Sequence, residues 1–355
     1  MKKRDYGLLG PEGLVAEAAG LKSAAWYHSD IPRATMKELM KRSDGPAIRD
    51  TIIYLGSMIA FATWAIAIWP SWWAIVPLAC YGVLYGSAGD SRWHECGHGT
   101  AFRTSWMNDA VYQIASFFMM RNPTRWRWSH TRHHTDTIIV GLDPEIALMR
   151  PPAAFMTVLN FFGLVDLYHS GKMMLINAAG IVTGDEKTFI PESEQSKVIW
   201  TARIWVLIYL ATIAACFYFH SILPVLLIGA PRLYGAWHGI LVGLMQHGGL
   251  AEDVLDHRMN SRTVYINPVS RFLYWNMNYH VEHHMFPMVP YHALPKLHAL
   301  IKHDLPAPSP SIWACYKEML PVWARQLRGE NHFLLRELPA TAKPYQPALH
   351  GQTPR

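Results

Sequence analysis

From Thr51 to Gly89 the chain carries no Asp, Glu, Lys or Arg, and Pro70-Ser71 divides this 39-residue stretch into two nearly equal pieces. Each piece is about one bilayer crossing, because a helix needs about 20 predominantly apolar residues to span the hydrocarbon core. Trp69, Trp72 and Trp73 edge the division, and such amphipathic rings are enriched where membrane meets water. The stretch reads as a helical hairpin with a very short outer turn. A second hairpin runs from about Val198 to Gln246, divided near Ser221 to Pro224, with Arg203 and Arg232 as its only fully charged residues. A pair of buried helices in a soluble core is the rival reading. It fits poorly, because both hairpins are too long and too uncharged.

The placement of basic residues tests this independently. Of 32 Lys and Arg, 9 precede Thr51, 10 lie in residues 90–197 and 11 follow Gln246, with none in either outer turn. Two hairpins put all three of those segments on one side, and the positive-inside rule makes that side the cytoplasm. The net charge of +6 is then a matter of topology, and no nucleic-acid partner is needed to account for it. The polar N-terminus lacks the apolar run of a cleavable signal peptide, so insertion is expected to use internal segments. The apolar runs in 106–120 and 153–182 are short and broken by polar residues, as suits interfacial or buried helices. The expected organisation is a cytoplasmic segment 1–50, hairpin 51–89, a cytoplasmic segment 90–197, hairpin 198–246 and a cytoplasmic segment 247–355. The fold class is an all-α integral membrane protein with four transmembrane helices beneath a cytoplasmic helical cap.

The chain has 19 histidines, and eight of them fall in three pentapeptides: His94-Glu-Cys-Gly-His98, His130-Thr-Arg-His133-His134 and His280-Val-Glu-His283-His284. Residues at i, i+3 and i+4 share one helical face, so each box can aim two or three imidazoles at a common point. One box alone is weak, but three of one geometry on one side of a membrane point to metal. Imidazole suits zinc, copper, iron and nickel, so ligand type does not name the metal. Ligand number favours two ions, because a catalytic zinc takes about three protein ligands. The cysteines Cys80, Cys96, Cys216 and Cys315 are isolated and form no C-x-x-C pair.

Two rivals of other classes compete. His94-Glu95-x-x-His98 matches the zinc metalloprotease motif with Glu95 as general base, but that reading leaves two boxes unused, and Gly97 weakens the helix it requires. A metal transporter or sensor would place its ionisable ligands inside the spans, whereas the boxes lie outside them.

The three boxes, with paired apolar segments before and between them, resemble the membrane-bound fatty acid desaturase and alkane hydroxylase superfamily over roughly residues 51–305. That resemblance implies two non-haem irons and dioxygen as co-substrate, used to hydroxylate or desaturate unactivated carbon. Carried over residue by residue, it implies His94, His98, His130, His133, His134, His280, His283 and His284 as iron ligands. His247, just after the last span, takes the place of the family's usual ninth ligand. Metal-bound imidazoles normally donate their second N–H to a carboxylate or carbonyl, and the candidates for that role are Glu95, Asp136, Asp143, Glu252, Asp253, Asn278 and Glu282. Arg232 and His238, polar residues within the second hairpin, are candidate substrate contacts; their rival readings are a snorkelling arginine and a satisfied intramembrane histidine.

Desaturases fused to cytochrome b5 usually begin the third box with Gln, whereas this chain has His280, and it contains no His-Pro-Gly-Gly haem segment. A separate electron carrier is therefore expected. Trp-His-Glu-Cys-Gly-His-Gly-Thr, Gly-Leu-Asp-Pro-Glu and Asn-Tyr-His-Val-Glu-His-His-Met-Phe-Pro are most similar to the bacterial rhizopine-oxygenase-like branch. That branch is associated with oxidative demethylation of a methylated inosamine, supplied by a Rieske-type ferredoxin and its reductase. The expectation is an oxidoreductase of the bacterial inner membrane, acting on a lipid or a small organic substrate. Acyl-lipid desaturation is the alternative within the same chemistry.

Overall fold

The computed structural model describes residues 4–345; residues 1–3 and 346–355, the ends of the two terminal segments, lie outside the described residues. The described chain is helical, with two isolated β-bridges and no β-strand. Three helical stretches are long and apolar enough to cross a membrane: 33–68, 192–218 and 223–247. Only 17% and 22% of the most apolar windows of the first two are buried. Ile59, Leu207 and Phe217 are each more than 60% exposed, so these helices turn apolar side chains outward, as a lipid-facing surface requires and a soluble core does not.

The expected second crossing is built differently. Its charge-free stretch becomes α-helical at Ile75–Val83, passes through a π-turn at Leu84–Ala88 and continues as Gly89–His98, which carries Asp90, Arg92 and the first box. The apolar part is thus a nine-residue helix and a five-residue π-turn, shorter than a full crossing. It packs closely on Pro231–His247, where small residues let the backbones approach. A Cβ on Gly235 would lie 1.8 Å from the Gly82 carbonyl oxygen, and one on Gly82 would lie 2.3 Å from the Tyr234 ring.

The two segments expected as hairpin turns lie together, since the Trp69 indole N–H donates to Ser221 Oγ at 2.9 Å. Trp72 and Trp73 beside them are 87% and 76% exposed. From that end the helices return to the first box and to His247. The intervening helices Ser105–Phe118, Ala154–Phe161 and Leu164–Ala178 expose Trp106, Phe155, Val158 and Leu175, the mixed character expected of short interfacial helices. Around the third box, Tyr279, Val281, Met285, Leu294, Leu297 and Met319 form a buried apolar core that supports the histidine-bearing end.

Candidate metal centre

Each box sits on a helix whose ends are locally encoded. Box 1 closes its helix at Gly99, which takes φ +68°, the left-handed conformation that ends helices cheaply only at glycine. Box 2 rides on Pro123–Thr135, capped by the Asn122 side chain, which accepts from the N–H groups of Thr124 and Arg125, with Pro123 at the first position. Box 3 occupies the short helix His280–Met285.

These helices bring all nine expected histidines together in two groups. His94, His98, His130, His134 and His283 form one, and His133, His247 and His284 form the other. His280 joins the second, with its Nε2 at 3.0 Å from the Nε2 of both His247 and His284. The sorting follows helical geometry. In box 2 the i and i+4 pair, His130 and His134, faces the first group, while His133 at i+3 faces the second. Box 3 does the reverse, with His280 and His284 in the second group and His283 in the first.

The donor set fits cations better than a hydrogen-bond network. His130 Nε2 lies 3.1–3.2 Å from the Nε2 of His94, His98 and His134. His283 Nε2 lies 2.7 Å from that of His94 and 3.2 Å from that of His134. An imidazole Nε2 offers one proton or one lone pair, so these contacts cannot all be hydrogen bonds. Two imidazole nitrogens bound at right angles about 2.1 Å from one ion lie about 3 Å apart, which is the spacing found. Five nitrogens in the first group also exceed what a catalytic zinc takes.

The outward-facing nitrogens fix the tautomer. His133 Nδ1 donates to Asp143 Oδ2 at 2.8 Å, His130 Nδ1 to Glu145 Oε2 at 2.8 Å and His247 Nδ1 to the Asn260 carbonyl at 2.8 Å. His284 Nδ1 lies 3.2 Å from Thr137 Oγ1. Each contact turns the Nε2 lone pair inward. Burial, with neighbouring imidazoles adding to it, pushes His98 down to about 4 and holds His94, His130, His134, His280, His283 and His284 well below the ordinary imidazole range. Neutral rings are what metal binding needs. Burial also pulls on His133, but the Asp143 carboxylate outweighs it and raises that ring. Burial pushes Glu145 and Glu95 up to about 7.

Of the seven expected orienting groups, Asp143 contacts a boxed imidazole directly. Glu95 comes within 3.9 Å of His283 Nδ1 but is bonded to Thr100 Oγ1 and the Tyr291 N–H, so it is not poised as a protease base beside His94 and His98. The remaining five are corrected by their surroundings. Glu282, two residues from His280, points to the opposite side of its helix and bonds Thr263 and His298. Asn278 donates to the Val264 carbonyl, and Asp136 ends the box 2 helix and pairs with Arg132. Glu252 holds Arg4 and Tyr6, and Asp253 accepts from the Val140 N–H and pairs with Arg4.

Reading the sequence missed Glu145, although it stands two residues past Asp143. Thr137 and the Asn260 carbonyl carry no sequence signal at all. His238 is a satisfied histidine, with Nδ1 2.7 Å from Ser87 Oγ and Nε2 3.1 Å from Ser270 Oγ. Arg232 does not snorkel: it is 2% exposed and paired with Asp166.

A cavity of about 660 Å³ lies against both groups, reaching His94, His130, His133, His247 and His280. Its walls include the ion pairs Asp90–Arg121 and Asp166–Arg232, and the buried Arg232 Nη1 has no hydrogen-bond partner among the described residues.

A family model described as fatty acid desaturase matches residues 70–316, more than half of the chain. An acyl-lipid omega-3 desaturase (cytochrome b5) of the endoplasmic reticulum from Arabidopsis thaliana is 21% identical over 78% of this chain and 74% of its own. A chloroplastic omega-3 fatty acid desaturase from Glycine max is 23% identical over 71% of this chain and 58% of its own. A Delta(12) fatty acid desaturase from Calendula officinalis is 32% identical, but over 19% of this chain and 16% of its own length. In that match the chain spans about a sixth of the relative.

Proposed function

Since the chain belongs to the fatty acid desaturase family, we propose that it is an O2-dependent, non-haem diiron oxidoreductase of membranes that oxidises an unactivated C–H bond. The observation that carries this reading is the gathering of nine imidazoles into two groups beside one cavity. His94, His98, His130, His134 and His283 would hold one iron, and His133, His247, His280 and His284 the other. When bound, the two irons would supply dioxygen activation, using electrons delivered by a separate carrier. The chain's own residues supply the rest. Asp143, Glu145, Thr137 and the Asn260 carbonyl aim the ligand rings, the cavity walls place the substrate carbon, and burial limits the access of bulk water.

We read the architecture as four crossings in two hairpins, with the segment 75–98 as the second crossing continued into the first box. The joined turns at Trp69 and Ser221 support this. The distribution of Lys and Arg favours a cytoplasmic site and, in a bacterium, the inner membrane. Electrons come from a separate one-electron carrier of the ferredoxin type, Rieske-type if the likeness to the rhizopine-oxygenase-like branch extends to its donor.

For the substrate, the two ion pairs in the cavity wall favour a small polar organic molecule that is hydroxylated or, at an N- or O-methyl carbon, demethylated. A hydrocarbon chain laid along Asp90, Arg121, Asp166 and Arg232 would strip water from charges without replacing it. The orphan Arg232 N–H instead offers a donor to a hydroxyl, carbonyl or carboxylate. The names of the relatives favour a second reading, acyl-lipid desaturation. Iron analysis with Mössbauer spectroscopy should give two irons per chain, and stoichiometric zinc without iron would defeat the proposal. Turnover of candidate substrates under 18O2 separates the two outcomes, since hydroxylation leaves label in the product or the released formaldehyde and desaturation leaves an alkene. Arg232→Ala should raise the apparent KM for a polar substrate, and an unchanged KM removes Arg232 as its anchor.

A further inference from the structure

We infer that Trp26 and His257 form the inlet through which electrons reach the metal position of His284. The proposal rests on the diiron reading above and adds the route by which the centre is reduced. Trp26 lies half-buried in the N-terminal segment, its ring fixed by the indole N–H donating to the Thr135 carbonyl at 2.9 Å, while the neighbouring Tyr27 N–H donates to the Leu255 carbonyl at 2.9 Å. It stacks on His257 with ring centroids 4.2 Å apart and planes 3° from parallel. The His257 ring is in turn 5.2 Å from that of His284, a member of the second group. Two short ring-to-ring steps therefore join the outside of the protein to a ligand imidazole.

Packing alone does not account for His257. It is 2% exposed, and its Nδ1 has no hydrogen-bond partner among the described residues. A buried polar nitrogen left unpaired costs free energy that an apolar side chain of similar volume would not. Besides a side-chain hydrogen bond to Asn260, what the imidazole offers and an aliphatic residue lacks is a π-system in line with both neighbours.

Among the described residues, the other aromatic contacts with the cluster do not reach the outside. Trp126 stacks on His130 at 4.0 Å, but it is 5% exposed and lines the cavity. Tyr265 is 43% exposed and bonds His298, but that chain ends on Glu282, whose carboxylate is held by Thr263 and His298. Trp26, His257 and His284 are absent from the cavity wall, so carrier and substrate approach from different directions and both can be bound at once. In each transfer a one-electron carrier protein is oxidised by one electron and one ferric ion becomes ferrous. Two transfers serve one turnover, and Trp26 and His257 form and break no bond.

The test uses the full chain, iron-loaded in nanodiscs under argon, with a ruthenium tris-bipyridyl photoreductant tethered at Lys22→Cys, close to Trp26 in sequence on an exposed side chain. Protein labelled without that change gives the background from native cysteines. Rapid-freeze EPR follows the one-electron-reduced centre, and iron analysis is run on every sample. Adding Trp26→Ala or His257→Leu should slow reduction at least tenfold with two irons per chain retained, and Trp26→Phe should fall between. Reduction of both variants at the parent's rate, with iron intact, would overturn the inlet and leave the diiron reading standing. A parent without two irons overturns the diiron reading itself, and the inlet with it.

Discussion

Replacing Asp143 by Asn tests how the centre is held, because the contacts of this carboxylate leave an amide no good solution. Asp143 Oδ2 accepts from His133 Nδ1 and from the Ile138 N–H, both at 2.8 Å, and Oδ1 accepts from the Glu145 N–H at 2.8 Å. Three donors converge on two acceptor atoms. In Asn, one atom becomes an NH2 donor. If the amide oxygen keeps the Oδ2 position, the NH2 meets the Glu145 N–H head-on. The flipped rotamer puts the NH2 against both His133 and Ile138, which is worse. The first arrangement preserves the tautomer of His133 but loses one hydrogen bond and the negative charge behind the ring. A charge-assisted hydrogen bond is worth about 1.5–3 kcal/mol and a neutral one about 1. The difference of about 0.5–2 kcal/mol corresponds to roughly a two- to thirtyfold loss of metal affinity, which overlaps the low end of the roughly 10–100-fold typical of groups that orient metal-bound histidine. The loss should fall on the group containing His133, His247, His280 and His284. Chelator competition followed by Mössbauer spectroscopy would show one iron position weakened and the other retained. Wild-type affinity at both positions, in a folded Asp143→Asn protein, would refute the argument that this carboxylate orients His133.

The exchange of His133 and His283 between the groups predicts that box number does not predict which ion is lost. His283→Ala should deplete the position shared with His94 and His130, and His284→Ala the other, as distinct changes in the Mössbauer spectrum. Gly235→Ala drives a Cβ into the Gly82 carbonyl and should cost more than the ~1–3 kcal/mol of ordinary overpacking, read as a lower Tm in detergent. His238→Ala leaves the Ser87 hydroxyl without its partner and Ser270 with Asn267 alone, and should lower stability by about 1–3 kcal/mol while leaving iron stoichiometry unchanged.

The histidines were legible because their signal is local: i, i+3 and i+4 spacing puts them on one face whatever the tertiary fold. Which imidazoles fall in the same group was not, since it depends on how three helices face one another. The orienting groups were mostly illegible for the same reason. Glu282 stands between ligand residues in sequence yet points away from them, while the Asn260 carbonyl is a backbone group that any residue would present. Arg232 stood out as a charge in an apolar segment, but its partner Asp166 lies 66 residues upstream. The long apolar helices were visible from missing charge, whereas the π-turn within the charge-free stretch was not, because it leaves no mark in composition.

That π-turn, Leu84–Ala88, lies between the apolar helix Ile75–Val83 and the helix of the first box. Each residue of an α-helix advances the chain by about 100° of rotation. Were the turn to relax to α with every residue kept, His94 and His98 would swing by roughly that angle relative to the apolar segment. The turn thus absorbs one surplus residue and sets the angle between the apolar segment and the histidine-bearing segment. Along this lineage, gains and losses of sequence should collect in the connecting loops and be purged between Ile75 and His98.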